Sequence, residues 1–150
     1  MRKAVVALFI ALAVLTVAVT GFAGKPEIQA HGQLRTEISL AGVLFDVQVT
    51  FNVQDRGALG DHGNLSLRIF HKEIGSLVAV GVSVGSMDVT ESGGWVIITT
   101  PIRVAFYDDT YYLPLHYPVY TFQAFDGGSA DEFVLMGRWV PILKGKIVIN

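Results

Sequence analysis

From Val43 to Gln54 the chain reads VLFDVQVTFNVQ, with Val43, Phe45, Val47, Val49, Phe51 and Val53 alternating against Leu44, Asp46, Gln48, Thr50, Asn52 and Gln54. Successive side chains of a strand point to opposite faces, so the pattern places six large apolar groups on one side and five polar ones on the other. Such a segment reads as a long strand of an antiparallel sheet, one face in a core and the other in water. Everything else in the chain has to fit around it.

Ahead of it, Ala30 to Ile38 alternates weakly and forms a first strand containing Gly32, and an Ala41-Gly42 turn leads on. Behind it, Asp55 to Asn64 (DRGALGDHGN) is a loop on turn chemistry alone. Leu65, Leu67, Ile69 and His71 then alternate with Ser66, Arg68, Phe70 and Lys72, so a second long strand completes a hairpin with a long tip. In Leu77 to Val84 the valines share one face, while Ala79, Gly81 and Ser83 line the other, which suggests close approach by another element there. Met87 and Val89 continue a register beyond Gly85, predicting a bulge near that glycine.

After a Glu91–Gly94 turn, Trp95 to Tyr107 follows as a strand that Pro101 breaks or confines to an edge, because proline has no N–H for a ladder. Asp108 to Thr110 is a turn, and Tyr111 to Phe125 returns as a strand interrupted by Pro114 and Pro118. Asp126 to Asp131 is a further turn, and short strands over 132–136, 137–143 and 144–150 end the chain. No segment after the first two dozen residues has a helical period. The expected fold is therefore all-β: an antiparallel meander of about eight or nine strands, closing into a barrel or folding into two packed sheets.

The N-terminus explains much of the 51% apolar content. Arg2 and Lys3 precede an apolar run from Ala4 to Val19, and Gly21-Phe22-Ala23 supplies the small residues of a signal-peptidase site. Residues 1–23 are expected to be a hydrophobic signal helix, with one all-β domain over 24–150 and a secreted or cell-surface location. A rival reading retains the segment as a membrane anchor, or as the assembly helix of a pilin-like fibre subunit. The absence of cysteine excludes disulfides, thiol catalysis and thiolate metal sites. Cleavage removes two of the 11 basic residues and none of the 13 acidic ones, leaving a net charge of −4. That balance argues against nucleic acid or an anionic membrane as partner, and a membrane is expected only through an uncleaved leader.

Three groups of residues invite a functional reading. All five tyrosines, Tyr107, Tyr111, Tyr112, Tyr117 and Tyr120, fall in one stretch with His116 among them; exposed, they could stack on sugar rings or line an interface, and otherwise they pair across strands. Carboxylates gather in the loops: Asp55 and Asp61 with Asn64, Asp108 with Asp109, and Asp126 and Asp131 with Glu132. Such oxygen donors suit calcium, but aspartate beside glycine is also ordinary turn chemistry, and the spacing matches no calcium motif. The four histidines lack metal-ligand spacing, and His71 is expected as a hydrogen-bonded residue at the end of the core. No nucleophile elbow, phosphate loop or dinucleotide fingerprint is present, so no cofactor and no enzymatic activity are expected.

The strand-loop-strand FNVQDRGALGDHGNLSLRIFH (51–71), the passage FDGGSADEFVL (125–135) and the closing LKGKIVIN (143–150) together resemble a small all-β module of secreted and cell-surface bacterial and archaeal proteins. The resemblance implies an exported β-domain and carries no activity or catalytic residue with it; the tyrosine-rich stretch departs from it. The leading functional expectation is a non-enzymatic extracellular domain with a structural or adhesive role, its partner an unspecified protein or glycan. A second is a small barrel that takes an apolar or carbohydrate ligand through the tyrosine-rich stretch, and a hydrolase using loop carboxylates is a third.

Overall fold

A computed structural model describes residues 27–107 and 118–150; the apolar N-terminal segment and most of the tyrosine-rich stretch lie outside them. Among the described residues ten strands form one antiparallel sheet: β1 (Ile28–Leu40), β2 (Val43–Asp55), β3 (His62–His71), β4 (Leu77–Ser83), β5 (Asp88–Ser92), β6 (Trp95–Phe106), β7 (Val119–Phe125), β8 (Glu132–Leu135), β9 (Arg138–Val140) and β10 (Lys144–Ile149). Their order is β10-β1-β2-β3-β4-β6-β7-β8-β9, with β5 laid beside β6. Among the described residues the one helical turn is Gly57–Leu59, and no helix is long and apolar enough to cross a membrane.

The hairpin of β1 and β2 is the longest ladder, running from Leu40↔Val43 to Ile28↔Asp55. Its two-residue turn needs positive φ at both positions to match the strands' twist, and Ala41 and Gly42 take φ of 51° and 82°. Val47, Val49, Phe51 and Val53 of β2 are buried, beside Ala30 and Leu34 of β1 and Leu65 and Leu67 of β3. The alternation runs further than the core does: Phe45 is half-buried and Val43 is exposed.

Two departures from a simple meander shape the molecule. The first lies at Gly85, where the expected bulge is instead a break: β4 ends at Ser83, Gly85 takes φ of 71°, and the chain resumes as β5 at Asp88. This break makes the count ten instead of eight or nine. β6 passes both pieces, pairing residues 102–106 with β4 and 95–99 with β5. At the change of partner Val84 N donates to the Pro101 carbonyl at 3.0 Å. A strand residue presents its N–H and C=O to the same side, so the missing N–H of Pro101 faces the gap between β4 and β5, where it costs no ladder bond. Pro101 therefore leaves the strand unbroken.

The second departure is β10, which returns to pair with β1 from Arg35↔Lys144 to Ala30↔Ile149. No ladder joins β9 to β10, so the sheet is not closed. It nevertheless curls on itself. The ring of Phe51 in β2 stacks on Phe133 in β8 at 6.0 Å, and Phe133 stacks on Phe122 in β7 at 6.5 Å. Arg138 Nη1 of β9 reaches the Ser39 carbonyl at the end of β1, 3.2 Å away. Each buried phenylalanine contributes roughly 1.5–3 kcal/mol by removal from water, and the three rings lie between opposite parts of one sheet. Small residues admit this packing: Gly32 lies under the Phe51 ring, and Gly81, on the small face of β4, sits against Ile102 of β6.

Candidate functional site

The loop carboxylates occupy one end of the sheet, where they bond to backbone amides. Asp55 Oδ1 accepts from Gly57 N at 2.7 Å, an ordinary turn bond. Asp61 Oδ2, in the β2–β3 loop, accepts from Val89 N of β5 at 2.5 Å. Asp131 takes Gly127 N at 3.2 Å through one oxygen and Ile147 N of β10 at 2.7 Å through the other. Asp126 likewise takes Gly128 N at 3.0 Å and Ile149 N at 3.3 Å. Bonds from Gly128 and Ile149, in that order, hold the Asp126 carboxyl below its ordinary pKa, with Lys146 adding attraction.

The bonds from Val89, Ile147 and Ile149 share one purpose. β5 and β10 each have an edge without a strand partner, and the carboxylates satisfy amides that would otherwise have none. Asn64 and Glu132 sit exposed on β3 and β8. Among the described residues no three histidine, aspartate or glutamate side chains converge on a point where an ion could sit. His71 packs edge-on against Phe45 at 5.9 Å, and its Nδ1 is buried without a hydrogen-bond partner, contrary to the expected satisfied histidine.

Of the tyrosine-rich group, Tyr111, Tyr112, His116 and Tyr117 lie outside the described residues. Tyr107 is exposed just beyond β6, whereas Tyr120 of β7 packs against the core. The two described tyrosines therefore do not share a surface.

A groove of about 570 Å³ lies on the outer face of β10, β1, β2 and β3. Cross-strand register builds it. One row runs Lys144, Arg35, Gln48, Arg68, and the next runs Lys146, Gln33, Thr50, Ser66. Arg35 and Lys144, two cations, stand directly opposite one another, an arrangement that costs stability in a sheet. Arg35 is steadied by Asp46 at 2.6 Å, and the Arg68 guanidinium lies 5.9 Å from the Phe70 ring centre. Among the described residues no carboxylate or imidazole lines the groove itself. It offers hydrogen-bond donors and positive charge. A second depression, bordered by His31, Lys146 and Val148, continues it along β10.

None of these groove residues stood out in the sequence. Each is an unremarkable polar residue on the water face of its own strand, and only the register between strands sets them side by side. Sequence reasoning also missed an outer-face aromatic cluster, in which Trp95 lies 5.3 Å from Phe125 and 5.2 Å, edge-on, from the exposed Trp139. No family model matches the chain, and no curated protein and no solved structure matches it.

Proposed function

We propose that the chain is a non-enzymatic β-domain of the cell exterior that binds an anionic, hydroxyl-rich ligand, the chemistry of an acidic glycan, in the groove of β10, β1, β2 and β3. The observation that carries this reading is the row Lys144–Arg35–Gln48–Arg68, three cations and one amide side by side, of which Arg35 alone is held by a carboxylate, Asp46. Guanidinium groups take carboxylates through paired, charge-assisted bonds, and Gln33, Thr50 and Ser66 in the neighbouring row suit hydroxyl groups. Like charges held side by side are tolerated where a ligand of opposite sign repays them.

The row crosses three interstrand steps, about 14 Å, long enough for a chain ligand more than one ring long. We infer as well that the curled sheet is a barrel left open between β9 and β10. The stacked Phe51, Phe133 and Phe122 fill its interior, which favours an outer-surface ligand over one held inside.

The test is binding to immobilised acidic and neutral polysaccharides. Acidic chains should bind, with affinity falling as salt rises, and Arg68→Ala combined with Lys144→Ala should weaken binding at least about tenfold. Retention of neutral chains alone, or an unchanged affinity in the double variant, removes the groove from the account.

A further inference from the structure

The end of the sheet opposite the carboxylate loops is built differently. There the β1–β2 turn carries exposed Leu40, Val43 and Leu44, the β3–β4 turn carries Ile74 at 72% exposure, the β8–β9 turn carries Met136, and Tyr107 lies just beyond β6. The Arg138–Ser39 bond draws the β8–β9 turn back to the β1–β2 turn, so these tips ring one end. Toward the other end the exposed large apolar side chains among the described residues are Leu59 and Trp139, the latter packed edge-on against Trp95.

Charge divides along the same axis. In the half next to the tips, Arg35, Arg68, Lys72, Arg138 and Lys144 stand against Glu37, Asp46 and Glu73, and two of those three acids are engaged, Glu37 by Lys72 and Asp46 by Arg35. The far half sets eight carboxylates, from Glu27 to Glu132, against Arg56, Lys146 and, in register with Ser66, Arg103. Asp108 and Asp109 lie outside the described residues and are not counted. The acidic net charge of the chain thus hides a molecule with an apolar, cationic end and an acidic one.

We propose that the tip end docks on an anionic lipid surface, with the turn side chains entering the boundary between headgroups and acyl chains and the cations behind them meeting the headgroups. Apolar groups on separate projecting turns, interrupted by Lys72 and Glu73, do not make the continuous patch that a folded partner would match, whereas a lipid boundary yields around each tip. The charge separation selects the surface and the orientation. Anionic headgroups attract the cationic half and repel the acidic one, which then faces water. This inference stands on the tips and the charge axis, apart from the groove.

The chain lacks cysteine, so one introduced thiol reports from one place. Val43→Cys, Ile74→Cys and, at the far end, Leu59→Cys are each made in the full chain and labelled with an environment-sensitive fluorophore. All three sites are exposed, and unchanged thermal melting confirms folding of each variant. With vesicles of phosphatidylglycerol and phosphatidylcholine, labels at 43 and 74 should brighten several-fold and shift to shorter wavelength, while the label at 59 should not. Phosphatidylcholine alone should give a weaker response, and Ile74→Ser should reduce partitioning of the Val43-labelled chain about tenfold. The proposal is overturned by silence at both tip labels, by an equal or larger response at 59, or by a tip response without vesicles that grows with protein concentration. A response at 59 identifies binding through the residues preceding β1, which join at that end, and the concentration-dependent response identifies a second copy of the chain.

Discussion

Replacing Asp131 by alanine tests whether loop carboxylates hold the free edge of β10. Two bonds are lost. The one from Gly127 N, at 3.2 Å, lies at the surface, and water replaces it at little cost. The one from Ile147 N, at 2.7 Å, belongs to a residue with no solvent exposure, and its amide is left without an acceptor. An orphaned buried donor costs about 1–3 kcal/mol, so the loss in unfolding free energy should fall in that range and come almost wholly from the second bond. Urea denaturation measures the total, and amide hydrogen exchange locates it: Ile147 N–H should lose protection. Asp131→Asn, which keeps one acceptor oxygen, should recover part of both. An alanine variant with its Ile147 amide still protected and its stability within about 0.5 kcal/mol of the parent would refute the edge-clamp reasoning.

The same geometry predicts an acid response. The Asp126 pKa is depressed on folding, so its contribution is present above the unfolded-state value near 3.8 and is lost as pH falls below that through the folded value; Asp126→Asn should flatten this part of an acid titration followed by circular dichroism. Since both oxygens of Asp126 and Asp131 already accept backbone amides, millimolar calcium should leave the melting temperature unchanged, and a rise abolished by Asp126→Ala would restore the calcium reading. Phe51→Ala removes a fully buried ring stacked on Phe133 and should cost about 3–5 kcal/mol in denaturant unfolding. Gly145→Ala places a methyl group on the Gln33 carbonyl at a φ of 114°, and should cost about 2–4 kcal/mol, visible as a lowered melting temperature.

Much of the fold was legible from residues close together in the chain. The core positions Val47 to Val53 of β2 and Leu65 and Leu67 of β3 follow the period-two pattern, and the turns at Ala41-Gly42 and Gly93-Gly94 fall where glycine marks them. The reading faltered where a distant partner decided the outcome. Gly85 looked like a bulge because Met87 and Val89 keep a register, but β6 offers separate partners to the two sides of it, and the strand divides. Pro101 looked like a break because its missing donor was evident, while the gap that excuses it was not. Loop aspartates looked like turn formers or calcium ligands, and Asp61, Asp126 and Asp131 act on strands 16 to 28 residues away. The groove was illegible for the same reason.

Sequence by itself settled which side of β2 and β3 meets the core and where most turns fall, because both depend on neighbours one to four residues apart. Tertiary structure alone decided that β10 lies beside β1, that Lys144 therefore faces Arg35 across from Arg68, and that apolar turns collect at one end while carboxylates collect at the other. Alternation specifies a face but not a neighbour. Which strands pair, and in what register, depends on turn geometry and on packing such as that of Phe51, Phe122 and Phe133 between parts of the sheet far apart in the chain, and every candidate surface is a product of that pairing.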